Sequence, residues 1–231
     1  MDFRDRHVAV TGGTGALGGA VVAALLEAGA FCHVPCRDEA EAKRSPLRDQ
    51  KHVTLTVTGS LAEEAAVSRL YGAIPQLWAS IHLAGGFAAG PLRDANVETL
   101  HQQIHTNFLS CLLCCRAAVN AMAGAGGRIV NVAARAALEW RSGAGMTAYT
   151  ASKAAVAAVT VALAEEVAKD GILVNAVAPS IMDTPANRSA MPKADYALWP
   201  KVEEVAATIV FLASPDNRVT RGAVVPVYGK P

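Results

Sequence analysis

Tyr149 and Lys153 stand four residues apart in the stretch that runs from Met146 to Lys153. On a helix that spacing is just over one turn, so the phenol and the ammonium share a face. A phenol is a poor proton donor or acceptor near pH 7. A fixed positive charge beside it favours the phenolate and draws its pKa toward the working range. The pair is therefore a candidate proton-transfer device, with Tyr149 as acid or base and Lys153 as its tuner. Such spacing is common on solvated helices, so the rest of the chain must show what the proton would serve.

A second group of residues offers a seat for an anion. Thr11, Gly12, Gly13, Thr14, Gly15, Ala16, Leu17 and Gly18 follow an apolar run and lead into a helical one. Glycine allows a tight turn and lets backbone N–H groups approach a pyrophosphate at the positive end of the helix. Placed in the first strand–helix unit, this turn predicts a dinucleotide site. The next apolar run ends at Cys36 and is followed by Arg37 and Asp38. An acidic residue there would bind both ribose hydroxyls of NAD, whereas an Arg would pair with the 2′-phosphate of NADP. Arg37 is nearer the strand end, and Lys43 and Arg44 add positive charge. NADP(H) is accordingly expected over NAD(H), with Asp38 as the alternative reader.

Cys111, Cys114 and Cys115 form a third group, with His101 and His105 close in sequence. The segment reads as an apolar helix face, where free Cys behaves as a small hydrophobe, and no metal is assigned to it. Five cysteines and no visible signal peptide point to reduced thiols and a cytoplasmic setting.

The elements that must position these groups alternate from end to end. Apolar runs at 7–11, 30–35, 53–57, 78–83, 128–133, 172–178 and 223–227 read as strands. Helical stretches at 16–28, 61–71, 97–123, 147–169 and 201–213 lie between them. This pattern predicts an α/β fold: one doubly wound parallel sheet of about seven strands with helices on both faces, and residues 1–231 as a single domain. The segment 180–200 breaks the alternation with Pro185, Pro192 and Pro200 among Met182, Met191, Tyr196 and Trp199. It follows a strand at its carboxyl end, where open α/β sheets bind ligands. It is expected to fold over the site; a plain surface connection is the alternative. The helix ending near Lys169 is rich in Ala, which suits a subunit interface and equally suits a good helix former.

Hydrophobic content of 52% with 18% charged residues describes a globular protein of one sizeable core. A formal charge of +1 gives no reason to expect nucleic acid or an anionic membrane as partner. The most apolar helical stretch, 108–125, is interrupted by Ser110, Arg116 and Asn120, which argues against a membrane span. A small-molecule substrate is the expected partner.

Thr11, Gly12, Gly18, Asn107, Tyr149 and Lys153 together resemble the short-chain dehydrogenase/reductase family over essentially the whole chain. Ala84-Gly85 is similar to the family's Ala-Gly after the fourth strand, and Asn175 to Pro179 to its Asn-x-x-x-Pro. The resemblance implies a Rossmann-type sheet of order 3-2-1-4-5-6-7, hydride transfer to or from nicotinamide, and a homodimer or homotetramer built through the two long helices. It implies Tyr149 as the general acid in reduction, Lys153 as tuner and ribose anchor, and Asn107 as anchor of a water. It also implies that Pro179, Ile181 and Thr184 line the nicotinamide end.

Departures from the pattern are as informative. His82 and Leu83 stand where the family has two Asn before Ala-Gly, Ser180 where a Gly follows the Pro, and Ala16 at the middle Gly of the turn. The family's substrate-binding Ser is missing: matching from Asn131 gives Ala134, and counting back from Tyr149 gives Ala136. Loss of one such donor costs about 2.7–4 kcal/mol. The dihydropteridine reductase branch of the family is similar in having Ala at that place, in Gly86 after Ala84-Gly85, and in the string from Asp183 to Trp199. That likeness implies an activated C=N or C=O acceptor, with Ala134 and Trp199 on the substrate side. A general ketoreductase or alcohol dehydrogenase, and a nucleotide-binding regulator with little catalysis, are the other readings.

Overall fold

A computed structural model describes residues 1–230, and in it every expected apolar run becomes a strand within one residue of its expected bounds. These are β1 (His7–Thr11), β2 (Phe31–Cys36), β3 (Val53–Val57), β4 (Leu77–His82), β5 (Gly127–Val132), β6 (Ile172–Pro179) and β7 (Val224–Val227). All pair in parallel, in the order 3-2-1-4-5-6-7. The chain starts in the middle and winds outward in both directions, so β1 and β4 diverge at a switch point where the carboxyl ends of the strands open a crevice. Nearly continuous burial along β1, β2, β4 and β6 explains why these segments read as apolar runs rather than alternating ones.

Helices cover both faces. α1 (Ala16–Glu27) and α9 (Val202–Ala213) enclose one core with Val8, Val10, Ile81 and Val130 of the strands. α3 (Glu64–Gly72) packs the other, together with two longer helical segments treated next. Leu25, Ile81, Ile129 and Ile209 are fully enclosed. Each such side chain contributes about 1.5–3 kcal/mol through the apolar area it removes from water.

The helix expected over 97–123 is three pieces. α4 (Val97–Gln103) leads into a π-helical turn, Ile104–Leu109, and then into α5 (Ser110–Ala121). A π-turn adds a residue to the helical repeat and re-aims the side chains it carries, and such turns gather at functional positions. Asn107 lies inside it. The helix expected over 147–169 is α7 (Thr147–Glu166); it gives way to a short 3₁₀ turn and to Gly171 at φ 72°, the left-handed stop that favours glycine. By length and composition α7 alone among the described residues could cross a bilayer, a property expected of no segment here. In this fold it lies against β5 and β6, with Ser152, Lys153, Val156, Thr160 and Ala164 as its buried stripe.

Three short helices have no apolar periodicity to announce them. α2 (Glu39–Arg44) has no apolar residue but Ala and starts at Asp38, whose carboxylate accepts the Glu41 N–H at 2.8 Å. α6 (Arg135–Leu138) is a single turn after β5. α8 (Pro185–Ala190) occupies part of the expected loop, with Thr184 as N-cap and Pro185 in its first turn.

Candidate active site

The site is built where the carboxyl ends of β1, β4, β5 and β6 meet the first turns of α7. Thr147 starts that helix, so Tyr149 and Lys153 sit in its first two turns, one above the other. Lys153 is buried, and its Nζ donates to the Val132 carbonyl at 2.8 Å at the end of β5. Burial draws the Lys153 ammonium down to about 8, opposed in part by the neighbouring Cys111 thiol. Tyr149 is half-buried with Phe87 edge-on to its ring, centroids 5.0 Å apart. Burial pushes its phenol above the ordinary value. This corrects the simple expectation that the ammonium lowers the phenol: desolvation disfavours both charged forms, and the lysine points at a carbonyl.

Asn107 fastens this helix to the nucleotide side. Its Oδ1 accepts the Gly86 N–H at 2.7 Å, and its Nδ2 reaches the Gly86 carbonyl at 3.0 Å and Ser152 Oγ at 3.1 Å. Ser152 in turn donates to the Tyr149 carbonyl at 2.7 Å. The Asn107 amide is thus occupied by protein, clamping Gly86 and the base of the Tyr149 helix. A Cβ at Gly85 would stand 2.8 Å from Asn107 Oδ1 and 3.4 Å from Lys153 Nζ. Gly85, Asn107 and Lys153 therefore converge on one point. Sequence reading missed Ser152, Phe87 and Gln103, whose Oε1 accepts from Asn107 Nδ2 at 3.3 Å; for Ser152 and Gln103 only their helical spacing from Tyr149 and Asn107 could have signalled them.

The Gly-rich turn crosses the end of β4. Gly12, at φ 68°, passes so close that a Cβ would lie 2.8 Å from Ala84 N, and Ala84 N donates to Thr11 Oγ1 at 3.2 Å. Gly18 abuts the turn itself: a Cβ there would lie 2.0 Å from the Gly12 carbonyl oxygen. Ala16 and Leu17 open α1, whose N-cap is Gly15, and no side chain caps it. The first-turn N–H groups consequently face the crevice with the helix dipole behind them. A glycine cradle with an uncapped helix start fits a dinucleotide pyrophosphate. Farther out, Arg37 is 76% exposed and its guanidinium meets Asp38 at 3.5 Å. Asp38 is spent as an N-cap. Thr14 Oγ1 instead donates to Glu41 at 2.5 Å, a carboxylate that sequence reading did not single out.

The hydroxyl missing from the sequence is missing from the site. Ala134, the N-cap of α6, and Ala136 are both buried. Ser142 is exposed and donates to the Glu139 carbonyl at 2.7 Å, and Thr147 is exposed. Neither stands in for the absent donor.

Pro179 ends β6 and is buried, Ile181 beyond it is exposed, and Thr184 Oγ1 accepts the Asn187 N–H at 3.2 Å. The Pro-rich segment is pinned: Asp183 N donates to the Pro200 carbonyl at 2.9 Å, Asp183 pairs with Arg188 at 2.5 Å, and Lys230 N donates to the Leu198 carbonyl at 3.2 Å. Trp199 packs tilted against Tyr196, centroids 5.0 Å apart, and lines a hollow of about 480 Å³ with Lys201, Val227 and Lys230. Tyr149, Lys153 and Ala134 do not line that hollow. A separate hollow of about 320 Å³ runs beside the start of α7, between the segments 88–96 and 146–148.

The cysteines cluster with a histidine, and it is His82. Its Nδ1 lies 2.7 Å from Asn131 Oδ1 and 3.5 Å from Cys115 Sγ, and both Cys111 and Cys115 donate to the same Asn131 oxygen. Ligand atoms of His82, Cys111 and Cys115 fall within 4.8 Å of one another. Hydrogen bonds of Ser80 and Tyr71 with His82 Nε2, and one that Asn131 Nδ2 donates to Thr160 Oγ1, complete the network. His101 and His105 stack on each other in the open, away from it.

Comparison with known proteins supplies the frame for this geometry. Residues 6–195 match the family model described as short chain dehydrogenase. The chain is 30% identical over 248 residues to the (2S)-[(R)-hydroxy(phenyl)methyl]succinyl-CoA dehydrogenase subunit BbsD of Thauera aromatica, covering 99% of this chain and 97% of that one. It is 33% identical to the cis-4-hydroxycyclohexanecarboxylate dehydrogenase of Sinomonas cyclohexanicum, covering 98% and 96%. A solved short chain dehydrogenase/reductase family protein superposes with a TM-score of 0.90 at 26% identity, over 100% of this chain and 98% of that chain.

Proposed function

The chain belongs to the short chain dehydrogenase family, and from that premise we propose that it is a nicotinamide-dependent reductase whose acid is Tyr149 and whose preferred acceptor is an activated C=N or C=O bond. The single observation that carries the acceptor class is the alanine at 134, where the family's substrate-polarising hydroxyl would stand. An acceptor that is already electron-poor, such as a quinonoid dihydropterin, does without that donor. A plain ketone loses the roughly 10²–10³ in rate that one such donor supplies.

The nicotinamide supplies or takes up hydride when bound. Thr11, Gly12, Thr14, Gly15, Ala16, Leu17 and Gly18 would hold its pyrophosphate, Arg37 the adenosine ribose end, and Ala84, Gly85, Pro179, Ile181 and Thr184 the nicotinamide end. Tyr149 holds the transferable proton at its phenolic oxygen. Lys153, on the same helix face, buried and fixed on Val132, would hold the nicotinamide ribose hydroxyls. Asn107, through Gly86 and Ser152, holds both walls at one spacing, which preserves the alignment proton transfer requires. Phe87 shields one edge of the phenol from water.

Arg37 supports NADP(H) over NAD(H), since Asp38 is engaged as a helix cap. The segment 180–200, with Trp199 near its end, is the substrate-side cover, and residues 1–231 act as one domain. Exposed Leu112 and Val161 on the long helices α5 and α7 support assembly into a homodimer or homotetramer. The names of the two relatives, both dehydrogenases of hydroxy compounds, favour a second reading: oxidation of an unactivated alcohol and its reverse.

One assay separates the two. Consumption of NADPH and of NADH is followed with quinonoid dihydropterin, a quinone, an imine and a panel of ketones and alcohols. Turnover confined to the activated acceptors supports the first reading. Robust ketone or alcohol turnover, with none on the activated set, establishes the second.

A further inference from the structure

Glu41 is placed unlike an ordinary surface acid. It stands on α2 yet reaches back to accept the Thr14 hydroxyl at 2.5 Å and the Arg37 backbone N–H at 2.7 Å. Thr14 belongs to the Gly-rich turn, and Arg37 is the first residue beyond β2. One carboxylate thus bridges the two walls of the groove at its outer end. Both donors are neutral groups converging on an anion, and the guanidinium that could neutralise it is turned to Asp38. The surroundings add negative charge: Cys36, the last residue of β2, has its thiol pushed up to about 11 by burial and then by Glu41, Asp38 and Glu39.

We propose that Glu41 is a gate on cofactor choice, occupying in the free protein the two donors that a ribose 2′-phosphate needs; this rests on the nicotinamide reading above. A 2′-hydroxyl can donate to the carboxylate and leave it in place. A 2′-phosphate is anionic and cannot share those donors with a second anion. It enters only after Glu41 swings out, freeing Thr14 and the Arg37 N–H and leaving Arg37 to pair with the phosphate. The displaced carboxylate lowers the apparent affinity by the fraction of molecules that hold it closed.

The test is calorimetric titration of the wild type, Glu41→Gln and Glu41→Ala with NADPH, NADH, adenosine 2′,5′-bisphosphate and 5′-AMP. Glu41 is on the surface of a short helix, and circular dichroism verifies that both variants keep the fold. The Kd ratio of NADH to NADPH is expected to rise roughly tenfold or more in both variants, about 1.4 kcal/mol, and the AMP to bisphosphate ratio to rise with it. Ratios unchanged within about twofold overturn the gate. So does continued refusal of both 2′-phosphate ligands by the variants while NADH binds, an outcome that leaves the nicotinamide reading intact. A wild type that prefers NADH but whose variants gain NADPH supports the gate and overturns the preference argued from Arg37. Failure of all three proteins to bind any of the four ligands overturns the gate and the nicotinamide reading together.

Discussion

At the scale of single residues, the proposed chemistry rests on two desolvated groups with opposite tendencies. Tyr149→Phe removes the phenolic proton proposed for transfer and is expected to lower kcat by about 10²–10⁴ with little change in cofactor affinity; unchanged turnover in a steady-state assay contradicts the assignment. Lys153 binds its proton less tightly in the fold, at about 8, than its ordinary 10.5. The unfolded chain therefore holds more protons between those values, and this group's penalty on stability is full below pH 8 and fades as pH rises through 10.5. Lys153→Met is accordingly expected to be more stable at pH 7 by on the order of 1–3 kcal/mol, as read from urea unfolding, and catalytically dead. The same shift predicts that reductive kcat/KM in the wild type falls as pH rises through about 8; a flat profile to pH 10 contradicts it. Tyr149, Lys153 and Asn107 were legible because their types and spacing are demanding. Glu41, Phe87 and His82 were not: each matters through a partner distant in sequence, as Glu41 does through Thr14.

At the scale of elements, the groove depends on glycines that let main chains touch and on a π-turn that aims Asn107. Gly18→Ala forces a Cβ against the Gly12 carbonyl oxygen. It is expected to weaken NAD(P)H binding at least tenfold and to destabilise the chain by about 1–3 kcal/mol, measured by titration and by thermal unfolding. β1, β2, β4 and β6 were legible to within a residue because they are buried almost continuously and so read as apolar runs; β3 and β7, less buried at the sheet edges, were legible through their β-branched residues. Helix ends and interruptions were not. The stretch 97–123 keeps an apolar face across the π-turn, so its periodicity reads as one helix. α2 carries no apolar residue but Ala, and its start is visible only as Asp38 three residues before Glu41.

At the scale of the whole molecule, the strand order brings segments far apart in sequence to one crevice: the turn after β1, Ala84-Gly85 after β4, Val132 and Ala134 around the end of β5, and the pinned segment after β6. Alternation along the chain announced the layers; the order of strands came with the family likeness, since periodicity alone is silent on neighbours. Leu112 and Val161 remain exposed on adjoining helices, and sedimentation is expected to show a dimer or tetramer that Val161→Glu dissociates. A wild-type monomer contradicts that assembly. The shape of the crevice leaves one discriminating position, the alanine where a hydroxyl would stand. The most direct measurement of the central claim is kcat/KM for Ala134→Ser against wild type, on quinonoid dihydropterin and on a simple ketone. A gain of about 10-fold or more on the ketone, with the activated acceptor unchanged, is the predicted result. Ketone turnover that is already robust in wild type and indifferent to the added hydroxyl would contradict it.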